Sequence, residues 1–172
     1  MLMPTQAHAR TIIEKLRSRN ESVSVAESLT GGGLGHELTR IPGASEVFLG
    51  GIIAYTTDVK VNFLGVPRST IEAFTVVSEE VAIAMAEGAR KKIGSTWAIS
   101  TTGIAGPGDY LGIREGTVWI AIAGPVNQTL QLTLDGGRDG VREGAISSAI
   151  GTFARILSYA EEVKEAGNGA TT

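Results

Sequence analysis

The alternation of strand-like and helical segments along the chain constrains its fold more than any other sequence feature. Short runs rich in β-branched and aromatic residues predict five strands, at residues 22–26, 50–57, 96–101, 117–124 and 128–134. Apolar residues at helical spacing predict helices at 6–20, 33–41, 58–66, 79–94 and 140–166. The pattern predicts an α/β three-layer sandwich, in which a mixed, mostly parallel sheet carries helices on both faces.

Length and composition predict a single domain over residues 1–172, with frayed tails at 1–5 and 165–172. The chain has 172 residues, of which 42% are hydrophobic, and this is enough for one compact core. It contains no cysteine, so disulfides, thiolate nucleophiles and cysteine metal sites are excluded. The His and carboxylate residues show no metal-ligand spacing, and we therefore expect no metal.

Charge and hydropathy narrow the expected partners and location. The net charge is −3 and only 5% of the residues are aromatic, which argues against a nucleic-acid surface. The N-terminus lacks the features of a signal peptide, and no run approaches the roughly 18 apolar residues of a membrane span. These features predict a cytoplasmic protein without a membrane partner.

A glycine-rich turn follows the first predicted strand, in the stretch "VAESLTGGG". Ser28 and Thr30 stand there just before Gly31, Gly32 and Gly33. Open α/β sheets bind ligands at this edge, and the N–H groups of the next helix favour an anion or a developing oxyanion. The glycines permit a close backbone approach. The alternative is a simple helix cap by Ser28 or Thr30.

A second cluster follows the next predicted strand, where Tyr55 is followed by Lys60. A serine nucleophile needs a base, and neither His8 nor His36 is placed to serve Ser28. Lysine can take this role only if burial or nearby cations lower its pKa. The alternative is an ordinary interface tyrosine and a solvated lysine.

A second glycine-rich turn follows the third predicted strand, with Thr102, Gly103 and Gly106 in "STTGIAGPGD". It provides another backbone cradle at the same sheet edge, for a phosphate or a carbonyl. The alternative is a long flexible loop.

Two arginines, Arg138 and Arg142, lie one turn apart where the last helix begins. Arginines at a sheet edge are natural ligands of phosphate or carboxylate groups. The alternative is a solvated pair with Asp139 and Glu143.

Taken together, these clusters resemble the CinA C-terminal domain family. The matching stretches run from about Ala7 to about Tyr159 and read "VAESLTGG", "GGIIAYTTDVK", "LGV", "VSEEVA", "MAEGA", "TGIAGP", "GTVWIA" and "VR". Characterised members are cytoplasmic nicotinamide-mononucleotide deamidases, which convert the carboxamide to the acid and ammonia. The resemblance implies this activity in pyridine nucleotide salvage, without a cofactor and in the stand-alone form of the family.

The resemblance also implies roles for residues. The family serine falls on Ser28, its tyrosine and lysine on Tyr55 and Lys60, its hydroxyl residue on Thr102, and its helix-entry arginine on Arg142. The chain departs from the family pattern in three places: Thr57 replaces a frequent asparagine, residues 136–138 lack the acid of G-D-R, and "YLGIREGTV" replaces K-P-x-G. The last two departures lie where substrate would be held.

Two functional hypotheses of different class follow. The first is an amidohydrolase in which Ser28 attacks the carboxamide, Lys60 and Tyr55 assist, and N–H groups of Thr30–Gly32 hold the oxyanion. The second is a non-catalytic nucleotide-binding module linked to competence or the DNA-damage response. In the first, we expect residues 103–116 to be mobile without substrate and to present Tyr110 and Arg114 to it. The apolar stretch 47–55 makes a homodimer the expected assembly.

Overall fold

The computed structural model of the protein describes residues 4–168. The helices are α1 (Pro4–Ser18), α2 (Gly33–Thr39), α3 (Thr57–Leu64), α4 (Arg68–Phe74), α5 (Glu79–Ile93) and α6 (Gly137–Asn168), with a 3-10 turn at Ala44–Glu46. The strands are β1 (Val23–Glu27), β2 (Phe48–Ile53), β3 (Trp97–Gly103), β4 (Thr117–Ala123) and β5 (Gln128–Thr133). Residues 4–5 and 165–168 of the expected tails are helical, and 1–3 and 169–172 lie outside the described residues.

The five strands form one mixed sheet in the order β2-β1-β3-β4-β5. Strand β1 pairs in parallel with β2 and β3, whereas β4 pairs antiparallel with β3 and β5. Four of the five strands therefore run in the same direction, and only β4 is reversed. The predicted fold class is confirmed.

The helices cover both faces of the sheet, and each face has its own apolar core. Helices α1, α2 and α6 bury large side chains against one face, among them Leu34, Trp97, Ile120 and Phe153. Helices α3, α4 and α5 cover the other face, whose core is built mainly from small side chains such as Ala26 and Ala98. Small side chains let these helices approach the sheet closely.

The structure departs most clearly from the sequence prediction at α4, at β2 and at the start of α6. Helix α4 was not predicted, because it has seven residues and buries only Ile71. Strand β2 begins at Phe48, so Gly50 and Gly51 lie inside it, and a Cβ at Gly51 would be 2.4 Å from Cγ2 of Val25. Helix α6 begins at Gly137 rather than Gly140.

Helix α3 carries Lys60 in its centre and has a defined start and end. The Thr56 side chain accepts a hydrogen bond from the N–H of Val59, and Gly65 closes the helix in the left-handed conformation with φ 72°. Helix α5 is capped by Ser78, as predicted. Within the described residues, no helix combines the length and apolar character that crossing a bilayer requires.

Candidate active site

A cleft of about 540 Å³ opens where the carboxyl ends of β1 and β3 lie side by side. The chain leaves β1 towards β2 and leaves β3 towards β4, in opposite directions along the sheet. Such a switch point leaves a crevice in which α/β proteins bind ligands. The lining residues come from the ends of β1 and β3, from α3 and from the start of α6: Ser28, Leu29, Tyr55, Thr56, Thr57, Lys60, Val76, Val77, Arg138 and residues 102–110.

Ser28 and Lys60 form a hydrogen-bonded pair in this cleft. The Lys60 Nζ donates to Ser28 Oγ at 3.0 Å. Lys60 is only 2% exposed and Ser28 only 8%. The Ser28 backbone is fixed as well, since its N–H donates to the Thr101 carbonyl at 3.0 Å. The two residues that the sequence predicted as nucleophile and base are thus in direct contact.

Two backbone carbonyls hold the other hydrogens of the Lys60 amine. Nζ donates to the carbonyl oxygens of Ala54 at 2.8 Å and Tyr55 at 3.3 Å. Burial removes the ammonium from water and lowers the pKa of Lys60 from 10.5 to about 8. A neutral Lys60 can keep both carbonyl contacts and direct its lone pair at Ser28 Oγ, which is the arrangement that a general base requires.

The glycine turn after Ser28 encloses a carboxylate of the chain itself, namely that of Glu27. Its Oε2 accepts from the N–H groups of Gly32 and Leu34, both at 3.0 Å, and its Oε1 accepts from Gly35 at 2.8 Å. The N–H of Gly31 donates to the Ser28 carbonyl at 3.1 Å. The N–H groups of Gly31 and Gly32, which the sequence assigned to a substrate anion or oxyanion, are already bonded within the chain.

Thr30 and Arg142 stabilise this turn from outside the cleft. The Thr30 hydroxyl is buried and hydrogen-bonded to that of Thr101 at 2.7 Å. Arg142 donates to the carbonyls of Leu29 at 3.1 Å and Thr30 at 3.3 Å. Thr30, Gly31, Gly32 and Arg142 are all absent from the cleft lining.

Arg138 crosses the mouth of the cleft. Its guanidinium donates to the Tyr55 hydroxyl at 2.9 Å and to the Gly106 carbonyl at 2.8 Å. Tyr55 is 56% exposed, so its hydroxyl lies at the rim rather than beside Ser28. Of the two predicted arginines, Arg138 is the one that faces the cleft.

Residues 104–110 form one wall of the cleft and belong to a hydrogen-bonded loop that continues to residue 116. The Glu115 carboxylate accepts from the Gly108 N–H at 2.6 Å, and Asp109 accepts from the Glu115 N–H at 2.8 Å. Tyr110 lines the cleft, whereas Arg114 is 70% exposed and lies 3.8 Å from Asp135.

The base of this wall is lined by three residues that the sequence assigned to the second glycine-rich turn, namely Thr102, Gly103 and Gly106. The Thr102 hydroxyl donates to the Val76 carbonyl at 2.7 Å.

Sequence reasoning missed Glu27 and the carbonyl acceptors of Lys60. An acid as the last residue of a strand, directly before a glycine-rich helix start, was the available signal for Glu27. Nothing in the side-chain pattern indicated the carbonyls of Ala54 and Tyr55, because backbone groups leave no sequence signal. Among the described residues, no group of three or more His, Asp or Glu side chains is arranged to hold a metal ion.

Comparison with known proteins shows the family to which the chain belongs. The CinA C-terminal domain family matches residues 5–157. The chain belongs to that family. A CinA-like protein of Prochlorococcus marinus is 40% identical over 153 residues, which are 87% of this chain and 36% of that protein. A CinA-like protein of Frankia casuarinae is 40% identical over 162 residues, which are 92% of this chain and 37% of that protein. This CinA-family chain spans about a third of the length of the curated relatives it matches.

Solved CinA-family structures share the fold over nearly their whole length. The competence/damage inducible protein CihA from Agrobacterium tumefaciens has a TM-score of 0.84 and 33% identity, covering 92% of this chain and 98% of its own. The competence damage-inducible protein A from Klebsiella pneumoniae has a TM-score of 0.87 and 26% identity, with coverages of 90% and 97%. The predicted family is confirmed.

Proposed function

We propose that this protein is an amidohydrolase that converts nicotinamide mononucleotide to nicotinate mononucleotide and ammonia. The observation that carries the proposal is the buried Lys60 Nζ at 3.0 Å from Ser28 Oγ, with both remaining donors occupied by carbonyls. A serine paired with a base in a ligand-sized cleft is suited to acyl transfer. The resemblance to characterised deamidases supplies the substrate.

In the proposed acylation step, neutral Lys60 takes the Ser28 proton as Oγ attacks the carboxamide carbon. The tetrahedral oxyanion forms, the C–N bond breaks, and the Lys60 ammonium returns the proton to the departing ammonia. The N–H groups of Leu29 and Thr30 carry no hydrogen bond within the described residues. Of these two, the N–H of Leu29 is the donor available to the oxyanion, because Leu29 lines the cleft and Thr30 does not. The N–H groups of Gly31 and Gly32 are engaged within the chain.

In the proposed deacylation step, Lys60 activates a water molecule that attacks the ester carbonyl. The C–Oγ bond then breaks, nicotinate mononucleotide leaves, and Ser28 recovers its proton from Lys60. The same buried amine therefore serves as base and as acid in turn, which a pKa of about 8 allows near neutral pH.

Substrate binding is proposed at the cleft mouth. Arg138 supplies a guanidinium for the phosphate, in the bidentate geometry that arginine offers. To bind substrate it exchanges its contacts with Tyr55 and Gly106 for phosphate oxygens. Thr102 and Gly103 supply the surface next to the reacting group, at the base of the wall that carries Tyr110. Arg142 supports the turn and acts on the substrate only through it.

The deciding experiment measures ammonia release from nicotinamide mononucleotide by the purified protein. The wild type is expected to release ammonia, and Ser28→Ala is expected to fold normally and release none. Nicotinamide riboside should be a much poorer substrate because it lacks the phosphate. Wild-type activity in Ser28→Ala would contradict the covalent mechanism.

Tight binding of the mononucleotide without ammonia release would instead support the alternative, a non-catalytic nucleotide-binding module. The cytoplasmic location, the homodimer and the absence of a cofactor remain predictions.

A further inference from the structure

We propose that Glu27 is a positioning residue for the Ser28 nucleophile, and that the glycine turn is shaped around its carboxylate. This inference rests on the proposed role of Ser28 as nucleophile, but it does not depend on which amide is hydrolysed. It goes beyond the Ser28–Lys60 pair, because it assigns a function to a buried charge that never touches the reacting atoms.

Three backbone contacts define the carboxylate site. Both oxygens of Glu27 are used, accepting from Gly32, Leu34 and Gly35 at 2.8–3.0 Å, and the residue is 1% exposed. Gly32 has φ 98°, which side-chain-bearing residues rarely adopt, and a Cβ at Gly35 would lie 3.4 Å from Glu27 Oε1. The backbone of 32–35 therefore closes around this one anion.

Glu27 links the turn to the sheet because it is the last residue of β1. Its backbone pairs with Ile53 on one side and Thr101 on the other. The sheet thus fixes the start of the turn, while the Glu27 side chain fixes its far end at 32–35. Ser28 lies between these two anchors, so its Oγ has little freedom to leave Lys60.

Glu27 also connects to the other member of the pair. Its carbonyl accepts from the Ala54 N–H at 2.7 Å. The Ala54 carbonyl in turn accepts from Lys60 Nζ at 2.8 Å. Through its side chain, Glu27 therefore anchors the turn that carries Ser28. Through its backbone carbonyl, it holds Ala54, whose own carbonyl orients Lys60.

The test compares Glu27→Gln with Glu37→Gln. Glutamine has the shape of glutamate but turns one oxygen into an NH₂ donor, which must face at least one of the three N–H groups. Glu37 lies on α2 and pairs with Arg40 at 3.0 Å, away from the turn, so it provides a matched loss of charge. The first readout is the rate at which a small fluorophosphonate labels Ser28, expressed per folded molecule.

We expect Glu27→Gln to label at least about 10-fold more slowly than the wild type, because small displacements of a nucleophile carry large rate penalties. With a hydrolysed substrate, kcat should fall and KM should change little. Glu37→Gln should behave as the wild type in both assays. A merely structural role of Glu27 would lower the unfolding midpoint but leave the labelling rate per folded molecule unchanged, and that result would overturn the proposal.

Two further measurements keep the proposal decidable. If Glu27→Gln does not fold, Glu27→Asp retains the charge but is one methylene shorter, and it should label slowly too; wild-type labelling would overturn the proposal. A crystal structure of whichever variant folds gives the Oγ–Nζ distance directly, and retention of the 3.0 Å contact would also overturn it. If the wild type releases no ammonia yet labelling depends on Glu27, the proposed function fails while the positioning role stands.

Discussion

At the scale of single residues, the chemistry of the site depends on the hydrogen-bond partners of the Lys60 amine. Two of them go to the carbonyls of Ala54 and Tyr55, and the remaining direction of Nζ points at Ser28 Oγ. Protonation of Lys60 fills that direction with a hydrogen and removes the lone pair that its proposed role as base requires. The ionisation of one buried amine should therefore control the rate.

The rate should follow the neutral fraction of Lys60. Because burial lowers the pKa of Lys60 to about 8, kcat/KM for the mononucleotide should rise about 10-fold between pH 7 and pH 9 and then level off. Ammonia release measured across this range tests the expectation. Lys60→Arg, which cannot lose its proton at these pH values, should be inactive throughout; a flat profile in the wild type would exclude Lys60 as the base.

The sequence was enough to pair Ser28 with Lys60, but it did not predict the contacts that tune them. Ser28 could be proposed because it directly follows a strand and precedes glycines, and Lys60 because no histidine was placed to serve. The turn glycines were assigned to a substrate anion, since their conformational freedom is visible in the sequence but the group they enclose is not. That group, the Glu27 carboxylate, becomes apparent only when the strand and turn are seen together.

At the scale of elements, the position of Lys60 depends on how closely α5 packs against α3. Gly88 of α5 lies against the last turn of α3, and a Cβ there would be 2.0 Å from the Leu64 carbonyl oxygen. Leu64 stands one helical turn after Lys60. The glycine therefore sets the spacing between α5 and the helix that carries Lys60.

Replacing this glycine should separate the two helices. Gly88→Ala should lower the free energy of unfolding by about 1–3 kcal/mol through overpacking, although alanine is the better helix former. It should also lower kcat, because α3 has to move. Denaturant unfolding and kinetics measure the two effects.

Gly151→Ala is the matched control in α6. Its Cβ would meet only the His8 ring at 3.5 Å, an ordinary contact. This variant should gain up to about 1 kcal/mol, the usual benefit of alanine in a helix. Equal effects at the two glycines would contradict the packing argument.

The loop 104–116 carries two side chains that the sequence predicted to face the substrate, and only one of them lines the cleft. Tyr110 lines the cleft and Arg114 does not. We expect Tyr110→Ala to raise KM for the mononucleotide with less effect on kcat, as loss of ground-state binding does. Arg114→Ala serves as the control and should leave both constants unchanged. Steady-state kinetics decide the matter, and a larger KM effect for Arg114→Ala would reverse the assignment. Mobility of this loop remains a prediction.

At the scale of the whole molecule, alternating segments were enough to predict the fold class. The alternation of residues 22–134 indicated helices on both faces of a mixed, mostly parallel sheet, but it did not indicate which strand is reversed. Strand order was not predictable in this way, because it depends on which faces the crossovers cover. The placement of β1 between β2 and β3 is what brings Ser28, Lys60 and Thr102 to one cleft.

The buried amine also links folding stability to pH. The folded protein binds the Lys60 proton more weakly than the unfolded chain does, with a pKa of about 8 against 10.5. Below about pH 8 both states are charged and the folded state bears the full cost, roughly 3 kcal/mol. Between pH 8 and 10.5 the unfolded chain holds more protons, so this cost is progressively removed as pH rises.

Lys60→Met isolates this effect from other titrating groups. The unfolding free energy of the wild type should increase relative to that of Lys60→Met by about 3 kcal/mol between pH 8 and 10.5. Urea unfolding of both proteins at several pH values in this range gives the difference. A constant difference would show that Lys60 does not have a lowered pKa in the folded state.

The loop that forms the cleft wall leaves and rejoins the sheet through a closed base. The Ile104 N–H donates to the Thr117 carbonyl at 2.9 Å, and the Gly116 N–H donates to the Ile104 carbonyl at 2.8 Å. Because the ends of the loop are held at a fixed separation, doubling its length adds only about 0.6 kcal/mol to the free-energy cost of closing it. Glu27, Ser28 and Lys60 all precede it in the chain. Exchange of this one segment can therefore alter the cleft wall while the Ser28–Lys60 pair stays unchanged.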